Sequence, residues 1–258
     1  MYSLDRRTRT LTLLRAGNKN IDVSRLLHVP PGTVSYWKHM DRAKRNAVPE
    51  RPRCHRCDNS PLDQPNYAYL LGLYLGDGHI IQYSGHRVPS LMITCADTWP
   101  GLMDECENAM RTAFPRNAVC RVRKKGAHNV KVYSKHLWCL FPQHGHGRKH
   151  NRLIALEPWQ QKIVDACPWD FLRGLVHSDG CRVTNWTTKV VRGERKRYQY
   201  PRYFFANKSD DIRRIYTGTL DKLGITWTHC TRGGKPFNIS VARRADVALL
   251  DEHIGPKH

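Results

Sequence analysis

Apolar positions in residues 1–46 recur three and four apart, which is the spacing of an amphipathic helix. Gly17-Asn18 interrupts the first run, and Pro30-Pro31-Gly32 separates the second run from a third. The pattern therefore predicts three short helices, the last over 33–40. A tight turn before the last of three helices is typical of a helix-turn-helix domain, and a generic three-helix bundle is the alternative.

The third predicted helix is the one that a helix-turn-helix domain places in the major groove of DNA. Its outward side chains would be Ser35, Tyr36 and Lys38. Basic residues outnumber acidic residues in segment 1–60, which favours the DNA-binding interpretation.

Residues 47–65 are rich in proline and have no apolar periodicity, so the pattern predicts a linker. The linker contains the sequence Cys54-His-Arg-Cys57, and a Cys-x2-Cys turn can supply two thiolates to a tetrahedral zinc ion. His55 or a distant Cys or His would have to complete the ligand set. The alternative is a pair of linker thiols without a metal.

From residue 66 onward the pattern repeats. Segment 67–78 (YAYLLGLYLGDG) matches segment 169–180 (WDFLRGLVHSDG), and similar tetrapeptides, GRKH and GPKH, end the two halves. The period of the apolar positions then predicts matching elements in each half. In the first half these are strands over 79–83 and 90–95, a helix over 99–114, strands over 118–123 and 129–133, and a helix over 134–141. In the second half they are strands over 181–191 and 198–206, a helix over 210–223, strands over 226–231 and 237–241, and a helix over 244–253. The predicted fold class is α+β, a pseudo-two-fold αββαββα repeat with halves 66–150 and 166–258, preceded by the small all-α domain.

Charge narrows the range of partners. The chain has 43 Lys and Arg against 22 Asp and Glu, a net charge of +21, and such a protein is expected to bind a polyanion such as nucleic acid. RNA, ribosomes and anionic membranes remain alternatives on charge alone. The sequence shows neither a membrane-spanning run nor a signal-peptide core, and the nine cysteines are then expected to be reduced thiols in the cytoplasm, nucleoid-associated in a bacterium.

Small residues at helical spacing mark the first helix of each half. Gly72 and Gly76 lie four apart, as do Gly174 and Ser178, and small residues at this spacing allow two helix backbones to approach closely. An Asp-Gly pair follows in both halves. We expect the glycines of these pairs, at 78 and 180, to adopt the left-handed conformation that often ends a helix.

If the two helices pack side by side in parallel, Asp77 and Asp179 meet at their ends. Two carboxylates at the negative ends of two helices repel each other unless cations lie between them, and Mg²⁺ (or Mn²⁺) prefers carboxylate oxygens. Two such ions can hold the attacking and leaving oxygens of a phosphodiester. Lys149 and Lys257, late in the two halves, could stabilise charge on the phosphate or help to deprotonate a water molecule. The alternative is that Asp-Gly only turns a helix into a strand.

The sequences LLGLYLGDG at 70–78 and LRGLVHSDG at 172–180 resemble the signature helices of single-chain LAGLIDADG homing endonucleases, and the resemblance covers 66–258. It implies that Asp77 and Asp179 bind divalent metal and that Lys149 and, less closely, Lys257 are the recurrent basic residues. It also implies two saddle-shaped sheets that straddle DNA. The chain departs from the pattern at Leu75 and His177, where an acid is common.

Basic residues crowd the predicted strands, as a DNA-binding sheet would require. The candidates for DNA contact are Arg121, Arg123, Lys125 and Lys131 in the first half, and Lys189, Arg192, Arg195, Arg197 and Arg202 in the second half. We expect a monomer that binds double-stranded DNA and no membrane, because one chain supplies both halves of the site. The favoured function is a metal-dependent, site-specific endonuclease. A LAGLIDADG-derived transcription regulator and an RNA maturase are the alternatives that the same family contains.

Overall fold

The computed structural model describes residues 2–44, 54–82, 87–232, 235–255 and 257–258. The chain divides into two compact units, Met1–Pro52 and Arg53–His258. Among the described residues, no helix has both the length and the apolar character needed to cross a membrane.

The first unit contains three helices around a small core. They are α1 (Leu4–Arg15), α2 (Asn20–Leu27) and α3 (Pro31–Lys44). The core side chains are Leu14, Val23, Val29, Val34 and Trp37. Helix α3 begins before the predicted start at 33, since proline is well suited to the first turn of a helix, where its missing N–H is not needed.

The second unit contains the two halves predicted from the repeat. The first half consists of α5 (Gln64–Gly76), β1 (Gly78–Ile81), β2 (Ser90–Ala96), α6 (Pro100–Ala113), β3 (Val119–Lys124), β4 (Ala127–Tyr133) and α7 (Leu137–Leu140), with α4 (His55–Asp58) before it. The second half consists of α9 (Pro168–Asp179), β5 (Gly180–Val191), β6 (Glu194–Phe205), α10 (Asp210–Lys222), β7 (Thr228–Arg232), β8 (Lys235–Val241) and α11 (Arg244–His253). A 3-10 turn (Lys149–Asn151) closes the first half, and α8 (Pro158–Ala166) lies between the halves.

Each half forms a four-stranded antiparallel sheet with the same strand order. The orders are β1-β2-β4-β3 and β5-β6-β8-β7. The predicted α+β fold class with an αββαββα repeat is confirmed. One element is much shorter than predicted: the helix expected over 134–141 is reduced to α7, because Ser134 accepts the backbone N–H of His136 and forms a turn there (3.1 Å).

The two halves meet along α5 and α9, whose backbones touch. A Cβ atom at Gly174 would lie 2.1 Å from the carbonyl oxygen of Tyr69, and one at Gly72 would lie 2.5 Å from that of Phe171. A Cβ atom at Gly76 would lie 2.0 Å from Oγ of Ser178. Helix α5 is buried on all sides from Tyr67 to Leu75, so its sequence is apolar all round rather than amphipathic.

The expectation of left-handed glycines after the two aspartates is wrong. Neither Gly78 nor Gly180 has a positive φ, and Gly180 is extended, with φ −104° and ψ 168°. Each begins a strand that folds back over the preceding helix. A Cβ at Gly78 would lie 2.4 Å from Cα of Tyr74, and one at Gly180 would lie 2.7 Å from Cα of Val176. Close approach, and not handedness, therefore requires glycine at both positions.

The predicted linker over 47–65 is described from Cys54 onward, and there it is structured. Helix α4 lies in this segment, Leu62 packs against the core of the second unit, and Asp63 caps α5 by accepting the N–H of Asn66 (3.0 Å). Residues 54–65 thus belong to the second unit. The predicted linker residues 47–53 lie outside the described residues.

Candidate active site

Asp77 and Asp179 lie side by side where α5 and α9 end. Asp77 caps α5, and its N–H donates to the carbonyl of Leu73 (3.0 Å). Asp179 is the last residue of α9, and its carboxyl carbon lies 3.2 Å from where a Cβ of Gly76 would be. The close packing of the helices therefore brings together the two carboxylates that the repeat pairs in sequence.

The two carboxylates share a partly desolvated environment. Burial and, after it, the charge of Asp77 raise the pKa of Asp179 to about 6, although Asn207 and the two lysines oppose the shift. Burial also raises the pKa of Asp77, against the charges of Lys149 and Lys257. Asp77 keeps exposed surface, whereas Asp179 is half-buried, so solvent screens the charge of Asp77 more strongly.

Lys149 neutralises the negative end of α5. Its Nζ donates to the carbonyls of Leu75 (3.0 Å), Gly76 (2.9 Å) and Tyr74, and it lies 4.9 Å from the centre of the Tyr74 ring. Burial lowers the pKa of Lys149 to about 8, and the charges of Asp179 and Asp77 oppose the shift. An ammonium at a helix C-terminus offsets the dipole that would otherwise repel a carboxylate there.

Lys257 approaches α9 in the corresponding way. Its Nζ donates to the carbonyl of Ser178 (3.3 Å), and burial lowers its pKa while Asp77 and Asp179 raise it. The structure thus gathers two carboxylates and two ammonium groups at one place, one of each from each half.

Asn207 is a further residue of this site that the sequence analysis missed. Its Nδ2 donates to Oδ2 of Asp179 (2.5 Å), and its Oδ1 accepts the N–H of Ser209 (2.8 Å), which holds the amide in place. The strand registers pair Gly78 with Ile93 and Gly180 with Phe205, so the position equivalent to Asn207 in the first half is Cys95. Comparison of the two halves does not indicate Asn207, because the equivalent residue of the first half is a cysteine.

His177, two residues before Asp179, contacts the side chain of Tyr69 on α5. Its Nδ1 is 3.1 Å from the hydroxyl of Tyr69, and burial lowers its pKa to about 4, so the ring is neutral near pH 7. It therefore packs between the two helices.

The first sheet divides the predicted DNA-binding residues between its two faces. Successive side chains in a strand alternate, and Val119, Val130 and Val132 are buried on the side that the helices cover. We call the other side of each sheet its open face. In the first sheet Lys131 lies on it, in register with Met92 and Cys120.

Arg121 and Arg123 lie on the helix-covered side of the first sheet, and their contact with DNA stays a prediction. The guanidinium of Arg121 forms ion pairs with Asp104 (2.6 Å) and Glu107 of α6. Arg123 shares this side by alternation, and Lys125 lies in the turn after β3. Alternation was apparent from the sequence, but the side that the helices cover was not.

The second sheet carries a long basic hairpin made of β5 and β6. Its open face holds Lys189, Lys196 and Arg202, because Tyr203 and Phe205 point to the helix-covered core. By the same alternation Arg195 and Arg197 lie on the opposite face. Arg192 lies in the two-residue turn with a φ of 54°, which is typical of a type I′ turn.

Arg202 is held on the open face by aromatic side chains. Its guanidinium lies 5.0 Å from the Phe204 ring centre and 5.8 Å from that of Tyr200. Arg197 lies over the ring of Trp186 on the other face (4.8 Å).

Comparison with solved structures identifies the architecture. The structure of the homing endonuclease I-DmoI in complex with DNA and Mn matches with a TM-score of 0.52 and 18% sequence identity, over 76% of this chain and 98% of I-DmoI. The chain has the LAGLIDADG fold. At this level of identity the match establishes the LAGLIDADG fold but not the activity.

Two other solved structures are similar, with lower scores. The homing endonuclease I-WcaI bound to its DNA recognition sequence has a TM-score of 0.49 and 12% identity, over 83% of this chain and 93% of that one. The N-terminal LAGLIDADG domain of DUF199/WhiA has a TM-score of 0.46 and 15% identity, over 76% and 87%. No family sequence model matches the chain, and no curated protein sequence matches it significantly.

The candidate DNA-contacting residues of the first unit lie on α3. They are outside the second unit (Arg53–His258), which we call the LAGLIDADG unit. Asn20 of α2 donates to Oγ of Ser35 and accepts from Nζ of Lys38, each at 3.0 Å. Tyr36 is 59% exposed. Ser35 and Lys38 thus connect α3 to α2, while Tyr36 is exposed to solvent.

A second cluster of metal-ligand side chains lies within the LAGLIDADG unit. The ligand atoms of Cys54, Cys57, His136 and Cys139 all lie within 4.8 Å of one another. Only Cys54 and Cys57 were predicted from the sequence as candidate ligands, and His136 and Cys139 were not. A His-x2-Cys spacing was visible in the sequence, but nothing in the sequence brought it together with a Cys-x2-Cys pair located 79 residues earlier.

Proposed function

We propose that the chain is a double-stranded DNA endonuclease that hydrolyses phosphodiesters with divalent metal. The observation that carries this proposal is the convergence of Asp77 and Asp179, with Lys149 and Lys257 beside them. An Asp-Gly sequence that only turned a helix into a strand would need neither a partly buried carboxylate nor a lysine beside it.

The residues at this site fit a divalent cation. The charge of Asp77 raises the proton affinity of Asp179, and a cation between the two carboxylates would relieve this repulsion. Carboxylate oxygens suit Mg²⁺ or Mn²⁺. Asp77 and Asp179 would hold the metal. When bound, such an ion neutralises phosphate charge and favours formation of a hydroxide nucleophile.

The other groups of the chain would orient and transfer protons. Asn207 donates to Asp179 and leaves the other oxygen of that carboxylate free to bind. The pKa of Lys149, about 8, is close to neutral pH. Near neutral pH this amine can therefore accept a proton in its neutral form and stabilise negative charge in its protonated form. Both halves of the site come from one chain, which supports a monomer as the active species.

A transcription regulator that binds DNA without cutting it is the second candidate. The observation that favours it is the separate three-helix unit, which presents Tyr36 on α3. In this case DNA binding would be unchanged in chelator, and the metal site would be vestigial.

Cleavage of a random duplex library tests the choice. We expect the purified full chain with Mg²⁺ to cut a subset of duplexes on both strands at one long asymmetric site, because the two halves differ in sequence. The same incubation with chelator should cut none. If Mg²⁺ and Mn²⁺ both leave the library intact while one duplex is bound equally well in chelator, the regulator is supported and the endonuclease proposal fails.

The open faces of the two sheets are the proposed DNA surface, and neighbouring residues of β6 allow a matched test. Lys196 lies on the open face and Arg195 on the opposite one, and both are exposed. We expect Lys196→Ala to reduce the salt dependence of DNA binding by about one phosphate contact, because each contact releases condensed counterions.

Arg195→Ala removes the same charge from the other face and is the control. Binding isotherms over a series of salt concentrations would measure both slopes. Equal slopes for the two variants would contradict the assignment of the open face as the DNA surface, and Lys131→Ala extends the test to the first half.

A further inference from the structure

We propose that Cys54, Cys57, His136 and Cys139 bind a single structural zinc ion. The four residues come from two short turns, Cys-x2-Cys beside α4 and His-x2-Cys beside α7. Among the described residues, no other group of three or more His, Cys, Asp or Glu side chains is close enough to hold a metal.

The distances between the ligand atoms suit a tetrahedral ion. Sγ of Cys57 lies 3.4 Å from Sγ of Cys139 and 3.5 Å from Nδ1 of His136, and the distance between Cys139 Sγ and His136 Nδ1 is 3.9 Å. Zinc–sulfur and zinc–nitrogen bonds of ordinary length place tetrahedral ligand atoms about 3.6 to 3.8 Å apart. The three distances among Cys57, His136 and Cys139 therefore agree with a tetrahedral ion to within a few tenths of an ångström, and the Sγ of Cys54 lies within 4.8 Å of each of these atoms.

The local backbone aims these side chains inward. The carbonyl of Cys54 accepts the N–H groups of Asp58 (2.9 Å) and Ser60 (3.4 Å), which closes the first turn. Ser134 accepts the N–H of His136 (3.1 Å) and sets the direction of the second turn. His55 is not part of this group of ligand atoms, and its Nδ1 donates to the carbonyl of Ser60 (2.7 Å).

The chemistry of the cluster selects zinc over the metals suited to the aspartate site. Three thiolates and an imidazole are soft ligands in a tetrahedral arrangement, whereas Mg²⁺ prefers oxygen in an octahedron. Four protein ligands leave no open position, so this ion would be structural rather than catalytic.

The ion would link α4, at the start of the second unit, to α7, near the end of the first half. Helices α4 and α7 each have four residues and are too short to be stable alone. Helix α7 continues into Phe141, which packs on the Tyr74 ring (4.5 Å), while Trp138 stacks on His144 at 4.8 Å. Lys149 lies against the same Tyr74 ring, so a zinc ion that fixes α7 would also help to hold the position of this lysine.

Metal analysis of the purified full chain tests the proposal. We expect one zinc ion per chain. After the zinc is exchanged for Co²⁺, we expect one tightly bound Co²⁺ per chain with the intense visible absorption of tetrahedral thiolate coordination. Cys57→Ser and Cys139→Ser should each lose most of the bound metal. Cys120→Ser, which replaces an exposed cysteine outside the cluster, should keep one zinc.

His136→Cys distinguishes a ligand from a residue that merely supports the fold. We expect this variant to retain one metal ion and to shift the Co²⁺ absorption, because sulfur replaces nitrogen in the ligand set. An unchanged spectrum would exclude His136 as a ligand. A full chain that holds no zinc after purification with added Zn²⁺, or that contains a Cys57–Cys139 disulfide in its place, would overturn the proposal. Neither result depends on whether the chain cuts DNA.

Discussion

Gly174→Ala should reduce the free energy of unfolding of the second unit by at least about 3 kcal/mol. The added Cβ would lie 2.1 Å from the carbonyl oxygen of Tyr69 and 3.0 Å from Cα of Gly72. Both atoms belong to the backbone of a fully buried helix, so no side chain can rotate to make room. Helices α5 and α9 would have to separate, which would open a gap along their whole contact.

Chemical denaturation followed by circular dichroism would measure this loss. Gly218→Ala is the matched control, because Gly218 lies within α10 and an added Cβ there meets nothing within 4 Å. This control should be as stable as the original chain or more stable by up to about 1 kcal/mol, since alanine is the better helix former. If Gly174→Ala behaved like the control, the helices could not be in backbone contact.

Asp77→Asn and Asp179→Asn should each reduce the rate of DNA cleavage by at least about 100-fold, because even residues that only orient a metal ligand contribute about 10- to 100-fold. Asparagine keeps the shape of the side chain but removes the charge that the proposed cation needs. Binding of the same duplex in chelator should be unchanged or tighter, since a negative charge is removed near phosphate. Rates with Mg²⁺ and anisotropy in chelator measure the two effects separately.

Stability shows whether such a loss of cleavage comes from misfolding. The folded pKa of Asp179 is about 6, above the value of about 3.9 in an unfolded chain. The folded state therefore binds the extra proton, and the stability that this group contributes is complete below about pH 4 and lost as pH rises through its folded pKa. In chelator, Asp179→Asn should be more stable than the original chain by about 1–2 kcal/mol at neutral pH, allowing for solvent screening, and equal at about pH 4. A variant less stable at neutral pH would contradict the raised pKa.

The repeat could be predicted from the sequence because its signals are local. Segments 67–78 and 169–180 align without a gap and are identical at five of twelve positions, and the strands after them follow from the spacing of apolar positions. The same local information indicates that Asp77 and Asp179 are equivalent. The symmetry of the repeat then predicts one contact between distant parts of the chain, because two equivalent helices with small residues on one face pack against each other.

Features without a symmetric counterpart could not be predicted in this way. Asn207 has Cys95 at the equivalent position, and the Cys54 turn meets the His136 turn only through the folded first half. The side of the sheet that Arg121 faces depends on which face α6 covers, and alternation alone does not decide this. In each case the missing information is a contact between residues far apart in the chain.

The contact between Gly174 and the carbonyl of Tyr69 also limits how the protein can be re-engineered. A chimaera that joins one half to a half from another protein of this fold must bring a residue without a side chain opposite Tyr69, whatever DNA sequence the incoming half recognises. Because the carboxylates lie at the ends of the same two helices, a mismatch at this crossing would also misplace Asp77 relative to Asp179. Halves can therefore be exchanged only among partners that preserve the spacing of this crossing.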